Sequence, residues 1–296
     1  MKTNRLVGLS FLLCGTPVWP LFAEQSDTAQ PIAEIKAMAE SGDAESQFQL
    51  GRRYDKGEGV PRDLVEAAKW YRKAAEQGQA KAQDNLGVCY DRGEGVAQDH
   101  VEAAKWFRKG AEQGLARAQS NLGICYDRGT GVTRDSGEAV KWYRKAAEQN
   151  YAIGQFNLGL CYATGQGVTQ DYMEATKWFR NAAGQNLAEA QDTLGDCSAM
   201  GVGMAKDEAQ GAIWYRKAAE QNYAKAQYHL GLCYDRGQGV AKEPAEAYKW
   251  LLLATRQGNE KARAITAALQ KEMTPAQIAE GEKRMREFHA RPAPSP

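Results

Sequence analysis

Paired carboxylates three residues apart are the first groups in this sequence that could do chemistry: Asp63/Glu66, Asp99/Glu102, Asp135/Glu138 and Asp171/Glu174. Two acids at that spacing could act as general acid and base. Glycine pairs such as Gly57-Glu58-Gly59 could cradle a phosphate in a glycine-rich loop. Lysines and arginines in register (Lys105, Arg108, Lys109; Lys141, Arg144, Lys145) could make a basic binding stripe. Three histidines, His100, His229 and His289, are few for a metalloenzyme of this length. No Ser-x-x-Lys, the nucleophile motif of penicillin-recognising enzymes, occurs anywhere in the chain.

The acid pairs, glycine pairs and basic residues return every 36 residues, and that changes their meaning. Trp70, Trp106, Trp142, Trp178, Trp214 and Trp250 keep this spacing, as do Gly51, Gly87, Gly123, Gly159, Gly195 and Gly231. A fixed period of that size marks a solenoid of stacked supersecondary units. The acid pairs fall where a second helix would begin, so Asp reads as its N-cap and Glu as the third residue of a capping box. The Gly-x-Gly pairs follow no strand pattern and read as helix–helix turns with positive φ. Glu112 and Glu148 follow the basic residues at helical spacing, which predicts a neutralised, solvated face.

The units run over 44–79, 80–115, 116–151, 152–187, 188–223 and 224–259, with Ala44, Ala80, Ala116, Ala152, Ala188 and Ala224 at position 1. Each predicts two helices. Gly87 sits inside the first, where glycine costs about 1 kcal/mol against alanine, so its recurrence calls for a partner too close for a Cβ. Gly114, and Asn150, Asn186 and Asn222 at the same place, read as αL caps ending the second helix. Pro31 to Gly42 reads as a lone second helix capping the N-terminus, and 260–288 as a C-terminal cap. Within the cap, Thr274-Pro275-Ala276-Gln277 launches a last helix to about Phe288. The fifth unit is the most worn: Ser198, Met204, Gly211 and Ile213 replace Tyr, Val, Ala and Lys.

Lys2 and Arg5, the apolar run to Cys14 and the small Ala23 read as a secretory leader over 1–23, ahead of a polar, disordered 24–30. Cys14 could mark a lipid anchor, although Leu13 before it is bulky for such a site. No other run approaches a membrane span. The expected location is therefore exported, periplasmic or secreted. Removing Lys2 and Arg5 from the 38 basic residues leaves 36 against 37 acidic ones, which gives no reason to expect nucleic acid. Residues 289–296 form a Pro-rich tail expected to be disordered.

The unit Ala-x-Ala-x3-Leu-Gly-x2-Tyr-x2-Gly-x-Gly-Val-x2-Asp-x3-Ala-x2-Trp-x3-Ala-Ala-x2-Gly resembles the Sel1-like repeat, a relative of the tetratricopeptide repeat. In the second unit the resemblance is carried by Ala80, Ala82, Leu86, Gly87, Tyr90, Gly93, Gly95, Val96, Asp99, Ala103, Trp106, Ala111 and Gly114. It implies an all-α fold, an α/α solenoid forming a right-handed superhelix, and a non-catalytic scaffold that binds a protein or peptide along its concave face. The other reading is a binder of cell-wall glycan or peptidoglycan, or a β-lactamase-like protein. Cysteine-rich relatives of that last kind bridge the two helices of each repeat. Here each of five units holds one cysteine: Cys89, Cys125, Cys161, Cys197 and Cys233. Equivalent cysteines on helices about 8–10 Å apart do not meet the reach of a disulfide, so they are expected to be free and buried. No cofactor is expected, and the chain is expected to be a monomer.

By analogy with tetratricopeptide repeats, the first helices line the concave side, with positions 2, 5, 9, 12 and 13 facing outward. The candidate partner-binding residues are Phe48, Phe156 and Tyr228 at position 5; Arg52, Ile124, Leu160 and Leu232 at position 9; and Asp91/Arg92, Asp127/Arg128, Ala163, Met200 and Asp235/Arg236 at positions 12 and 13. They describe a groove charged at both ends and apolar in the middle.

Overall fold

A computed structural model describes residues 31–290. The leader, its cleavage beside Ala23, Cys14, the 24–30 segment and most of the Pro-rich tail lie outside the described residues.

Fifteen α-helices and no strands occur among the described residues, and they stack as an α/α solenoid. Helix α1 (Ile32–Glu40) caps the array. Six antiparallel pairs follow: α2 (Ala44–Lys56) with α3 (Leu64–Glu76), α4 (Ala80–Arg92) with α5 (His100–Glu112), α6 (Ala116–Arg128) with α7 (Ser136–Glu148), α8 (Ala152–Thr164) with α9 (Tyr172–Gly184), α10 (Ala188–Met200) with α11 (Glu208–Glu220), and α12 (Ala224–Arg236) with α13 (Pro244–Arg256). Helices α14 (Glu260–Glu272) and α15 (Pro275–Arg286) close the far end. Helix α15 stops short of Phe288, whose ring nevertheless packs edge-on against Trp250 at 5.3 Å.

Two glycines set the geometry of each pair. A Cβ on Gly87 would lie 2.6 Å from the Phe107 ring, so the two helices of the repeat approach at that point. Gly95 has φ 73°, and a Cβ there would lie 1.9 Å from the backbone oxygen of Leu64. The turn therefore rests on the second helix of the preceding repeat, and only glycine allows both the dihedral and the approach. Asn150, Asn186 and Asn222 hold φ of 61–65° where the other second helices end in glycine. Leu50, Leu86, Leu122, Leu158, Leu194 and Leu230 are fully buried behind these contacts.

Five of the six second helices are N-capped by aspartate, α13 having Glu243 there with no side-chain cap, and the capping boxes of those five stay open. Asp99 Oδ1 accepts from Val101 N–H and Glu102 N–H at 2.9 and 3.0 Å. The Asp99 N–H that Glu102 would have bound instead donates to Tyr90 O at 2.9 Å, tying the cap to the first helix. Glu102 is left to pair with Lys105 at 2.5 Å. Only Thr274 and Gln277 close the reciprocal box among the described helices.

Candidate interaction face

Successive repeats pack chiefly through the second helix of one against the first helix of the next, as α5 on α6, and first helices also meet, as α6 and α8 do. Position 5 is covered by these contacts to differing degrees. Phe48, Asp84, Ser120 and Asp192 are buried, and Phe156 and Tyr228 are half-buried. Phe48 packs on Tyr71 with ring centres 6.1 Å apart, and Phe156 on Phe179 at 5.7 Å. The groove-facing expectation is thus corrected for Phe48, whose ring is buried against Tyr71, whereas Phe156 and Tyr228 stay half-buried, as Ile124 and Leu232 do.

Positions 9, 12 and 13 face outward to differing degrees. Arg52, Ile124 and Leu232 are half-buried and Leu160 is 39% exposed. Asp91, Asp127, Ala163 and Asp235 are half-buried. Arg92, Arg128 and Arg236 are exposed, and Met200 is 65% exposed. Some of these residues line clefts where successive repeats meet. A cleft of about 490 Å³ is lined by Val88, Asp91, Arg92, Ile124 and Arg128 among others. Another of about 440 Å³ is lined by Met200, His229, Leu232 and Arg236 among others. Within the first of these, Asp91 Oδ1 lies 2.9 Å from His100 Nδ1.

Two position-5 aspartates are buried under the face and held by the next repeat. Asp84 accepts from Arg117 Nε and, at 2.9 Å, from Asn121 Nδ2. Burial raises its pKa, and Arg117 and Asn121 oppose that rise. Asp192 has the same neighbours in substituted form: Lys225 stands in for Arg117 and His229 for Asn121. Lys225 Nζ lies 2.8 Å from Asp192 Oδ2 and 3.5 Å from Asp196 Oδ2. The Asp192 oxygen has no donor aligned for a hydrogen bond, so this contact is an ion pair by distance alone. His229 Nδ1 lies 2.8 Å from Asp192 Oδ1, and Tyr215 donates to Asp196 Oδ1 at 2.8 Å. Burial of the Lys225 ammonium pulls its pKa down, the carboxylates push it up further, and the net shift is upward.

Three features have no place in an apolar-periodicity reading. A glutamine at position 4 of every first helix is buried and donates to the preceding second helix; Gln83 Nε2 binds Ala75 O at 3.1 Å. Its signal was its own 36-residue recurrence. Of the basic residues on α5, Lys105 pairs with Glu102, whereas the other two are placed by aromatic partners and not by the expected Glu112: Lys109 lies 3.8 Å from the Trp106 ring centre, and Arg108 donates to Tyr126 OH at 2.7 Å. In the fifth repeat Ser198 removes that tyrosine, and its hydroxyl lies 3.5 Å from Met204 Sδ.

The five cysteines are buried and unbridged. Burial pushes the Cys89 thiol up to about 12 and the other four to about 11. A thiol so shifted is a poor nucleophile at neutral pH.

The Sel1 repeat matches at residues 44–79, 80–115, 116–151, 152–187, 188–223 and 224–259. A Sel1 repeat protein from Oxalobacter formigenes is 34% identical, with a TM-score of 0.69 over 76% of this chain and 97% of that one. A protective antigen of uropathogenic Escherichia coli with an SLR fold is 37% identical, with a TM-score of 0.74 over 86% of this chain; the match spans 56% of that antigen's length. The secretory immunoglobulin A-binding protein EsiB of Escherichia coli is 42% identical over 43 residues, which is 14% of this chain and 9% of that protein. With six tandem matches and a relative covered almost end to end, the chain belongs to the Sel1 repeat family.

Proposed function

We propose that this protein is a non-catalytic scaffold of the bacterial envelope or secreted space, binding a protein or peptide partner along its first-helix face. Sel1 repeat proteins are in general protein-interaction scaffolds. The observation that carries the proposal is the exposure of Leu160 and Met200 in the middle of the array. On either side the equivalent first helices end in Asp91/Arg92, Asp127/Arg128 and Asp235/Arg236. An apolar centre with a charged rim is the usual anatomy of a partner site. The burial of the Phe48 ring supports a protein partner over a glycan, because that ring cannot serve as a stacking platform. EsiB binds secretory immunoglobulin A by name, which makes extracellular protein a reasonable partner class here.

The test is capture from envelope and culture-medium extracts by immobilised protein, run beside Leu160→Asp and Met200→Asp. The expected result is a protein retained by the wild type and lost from both variants, which keep the wild-type melting temperature. Identical retention by all three would sink the groove assignment.

A further inference from the structure

We propose that Asp192, Asp196 and His229 hold a divalent transition-metal ion of the zinc type at the junction of the fifth and sixth repeats. Their ligand-type atoms all lie within 4.8 Å of one another. His229 Nδ1 is 2.8 Å from Asp192 Oδ1 and 3.6 Å from Asp196 Oδ1. Zinc binds imidazole nitrogen and carboxylate oxygen at about 2.0–2.2 Å, which sets tetrahedral ligands roughly 3.3–3.6 Å apart. Rotamer adjustments of less than about 1 Å would therefore seat the ion between these atoms.

Two of the three donors, Asp196 and His229, are departures from the repeat that meet in space beside Asp192. Position 9 is Arg52, Val88, Ile124, Leu160 and Leu232 in the other units and Asp196 only in the fifth. Position 6 is Gln49, Asn85, Asn121, Asn157 and Thr193 in the first five and His229 only in the sixth. The equivalent seam at Asp84 shows what the unmodified arrangement does: Arg117 and Asn121 both hydrogen-bond its carboxylate. Asp192 is 1% exposed, yet its Oδ2 has no aligned donor. The ammonium beside it is that of Lys225, whose side chain is 51% exposed.

Lys225 thus occupies the charge position that a metal would take, on a stem free to swing into solvent. His229 also lines the cleft of about 440 Å³, giving the ion a route in and room for water ligands. On binding, the metal takes the place of a proton at Nδ1, and the neutral ring carries its proton on Nε2. One imidazole with two carboxylates suits zinc and its neighbours better than the all-oxygen preference of calcium or magnesium. The bound ion would cross-link α10 to α12 and fix the floor of the cleft.

The experiment is calorimetric titration of metal-stripped full chain with Zn²⁺, with melting curves in parallel. Wild type is expected to bind one ion saturably and to melt at a higher temperature with Zn²⁺. Asp196→Asn and His229→Asn, the second restoring the residue found at Asn121, are expected to bind at least about tenfold more weakly. Lys225→Ala, which removes the competing ammonium, is expected to bind as tightly as wild type or more so. The proposal is overturned if wild type shows no saturable zinc binding. Undiminished binding in both ligand variants overturns it too, as does binding that His100→Asn abolishes and His229→Asn leaves intact. Circular dichroism checks that each variant is folded, and Asp196→Leu, with the side chain that position 9 carries at Leu160, replaces any that is not.

Discussion

Gln119 Oε1 accepts a hydrogen bond from Gln149 Nε2 at 2.8 Å, while Gln119 Nε2 donates to Ala111 O at 3.2 Å. One buried amide thus joins three helices, since Ala111 is on α5, Gln119 on α6 and Gln149 caps the end of α7. Gln119→Ala removes both bonds, while the Ala111 carbonyl keeps the Gly114 N–H at 3.0 Å. Each lost hydrogen bond is worth about 0.5–1.5 kcal/mol net, so the two together should cost about 1–3 kcal/mol in denaturant unfolding. Gln149→Ala takes away only the outer, exposed partner and should cost less. Equal costs would show that the amide is not the joint it resembles.

That joint also marks the limit of what the sequence discloses. Gly87, the Asp99 cap and the Asn150 cap could be assigned because each residue type answers a local backbone demand. Gln119 could not, because hydrophobic periodicity records it as a polar interruption. The reversal at position 5 has a different cause. Phe48 and Arg52 are one helical turn apart and share a face, so spacing cannot separate them. The next repeat decides, and it covers the N-terminal half of that face more closely. The Asp192 and His229 contact joins residues on successive repeats, and no local pattern announces it.

Gly87 and Gly184 are both helical glycines with opposite surroundings. A Cβ at Gly87 would meet the Phe107 ring at 2.6 Å, and one at Gly184 would meet nothing within 4 Å. Gly87→Ala should lose about 1–3 kcal/mol through overpacking. Gly184→Ala should be neutral or gain up to about 1 kcal/mol from helix propensity. Thermal melts of the two variants check the contrast, and a neutral Gly87→Ala would contradict the close approach.

The buried thiols predict an alkaline limit to stability. Their folded pKa values of about 11 to 12 stand above the ordinary 9.0. A group raised on folding contributes stability that is complete below its unfolded pKa and declines as pH rises toward its folded one. Melting temperature should therefore fall between about pH 9 and 11, with buried tyrosines such as Tyr71 and Tyr143, also raised by burial, adding to the decline. In the same protein, Cys89, Cys125, Cys161, Cys197 and Cys233 should resist a thiol reagent at neutral pH until denatured. Prompt native labelling at any of them would contradict their burial.

Asp84 behaves in the opposite sense from a stabilising surface carboxylate. Its folded pKa is raised, chiefly by burial, so its contribution is greatest below the unfolded value of 3.8 and declines as pH rises through that value. Arg117→Ala leaves the ionised carboxylate with Asn121 alone. The loss at pH 7 should be of order 1–3 kcal/mol, set below the fully buried case because the Arg117 side chain is 46% exposed. It should shrink on acidification toward pH 4, where Asp84 can protonate. Asp84→Asn should stay within about 1 kcal/mol of wild type at pH 7. A penalty for Arg117→Ala that ignores pH would mean that its packing, and not its charge, supports the seam.

Leu158 and Leu160 lie two residues apart on α8, with exposures of 0% and 39%. Two helical steps turn the side chain by about 200°, so the first points into the repeat and the second away from it. Leu158→Ala should cost about 2–5 kcal/mol, the range for a buried leucine that leaves a cavity. Leu160→Ala should stay within about 0.5 kcal/mol of wild type, as surface changes do. Leu160→Asp sharpens the comparison, because a carboxylate is tolerated only where water can reach it. Urea unfolding with an unchanged slope would show that each variant still unfolds over the same surface, and the midpoints then report stability directly. If Leu160→Asp loses more than about 2 kcal/mol, position 9 belongs to the seam, and failed partner capture by that variant would say nothing about the groove. If it keeps the wild-type midpoint, loss of capture can come only from the face itself.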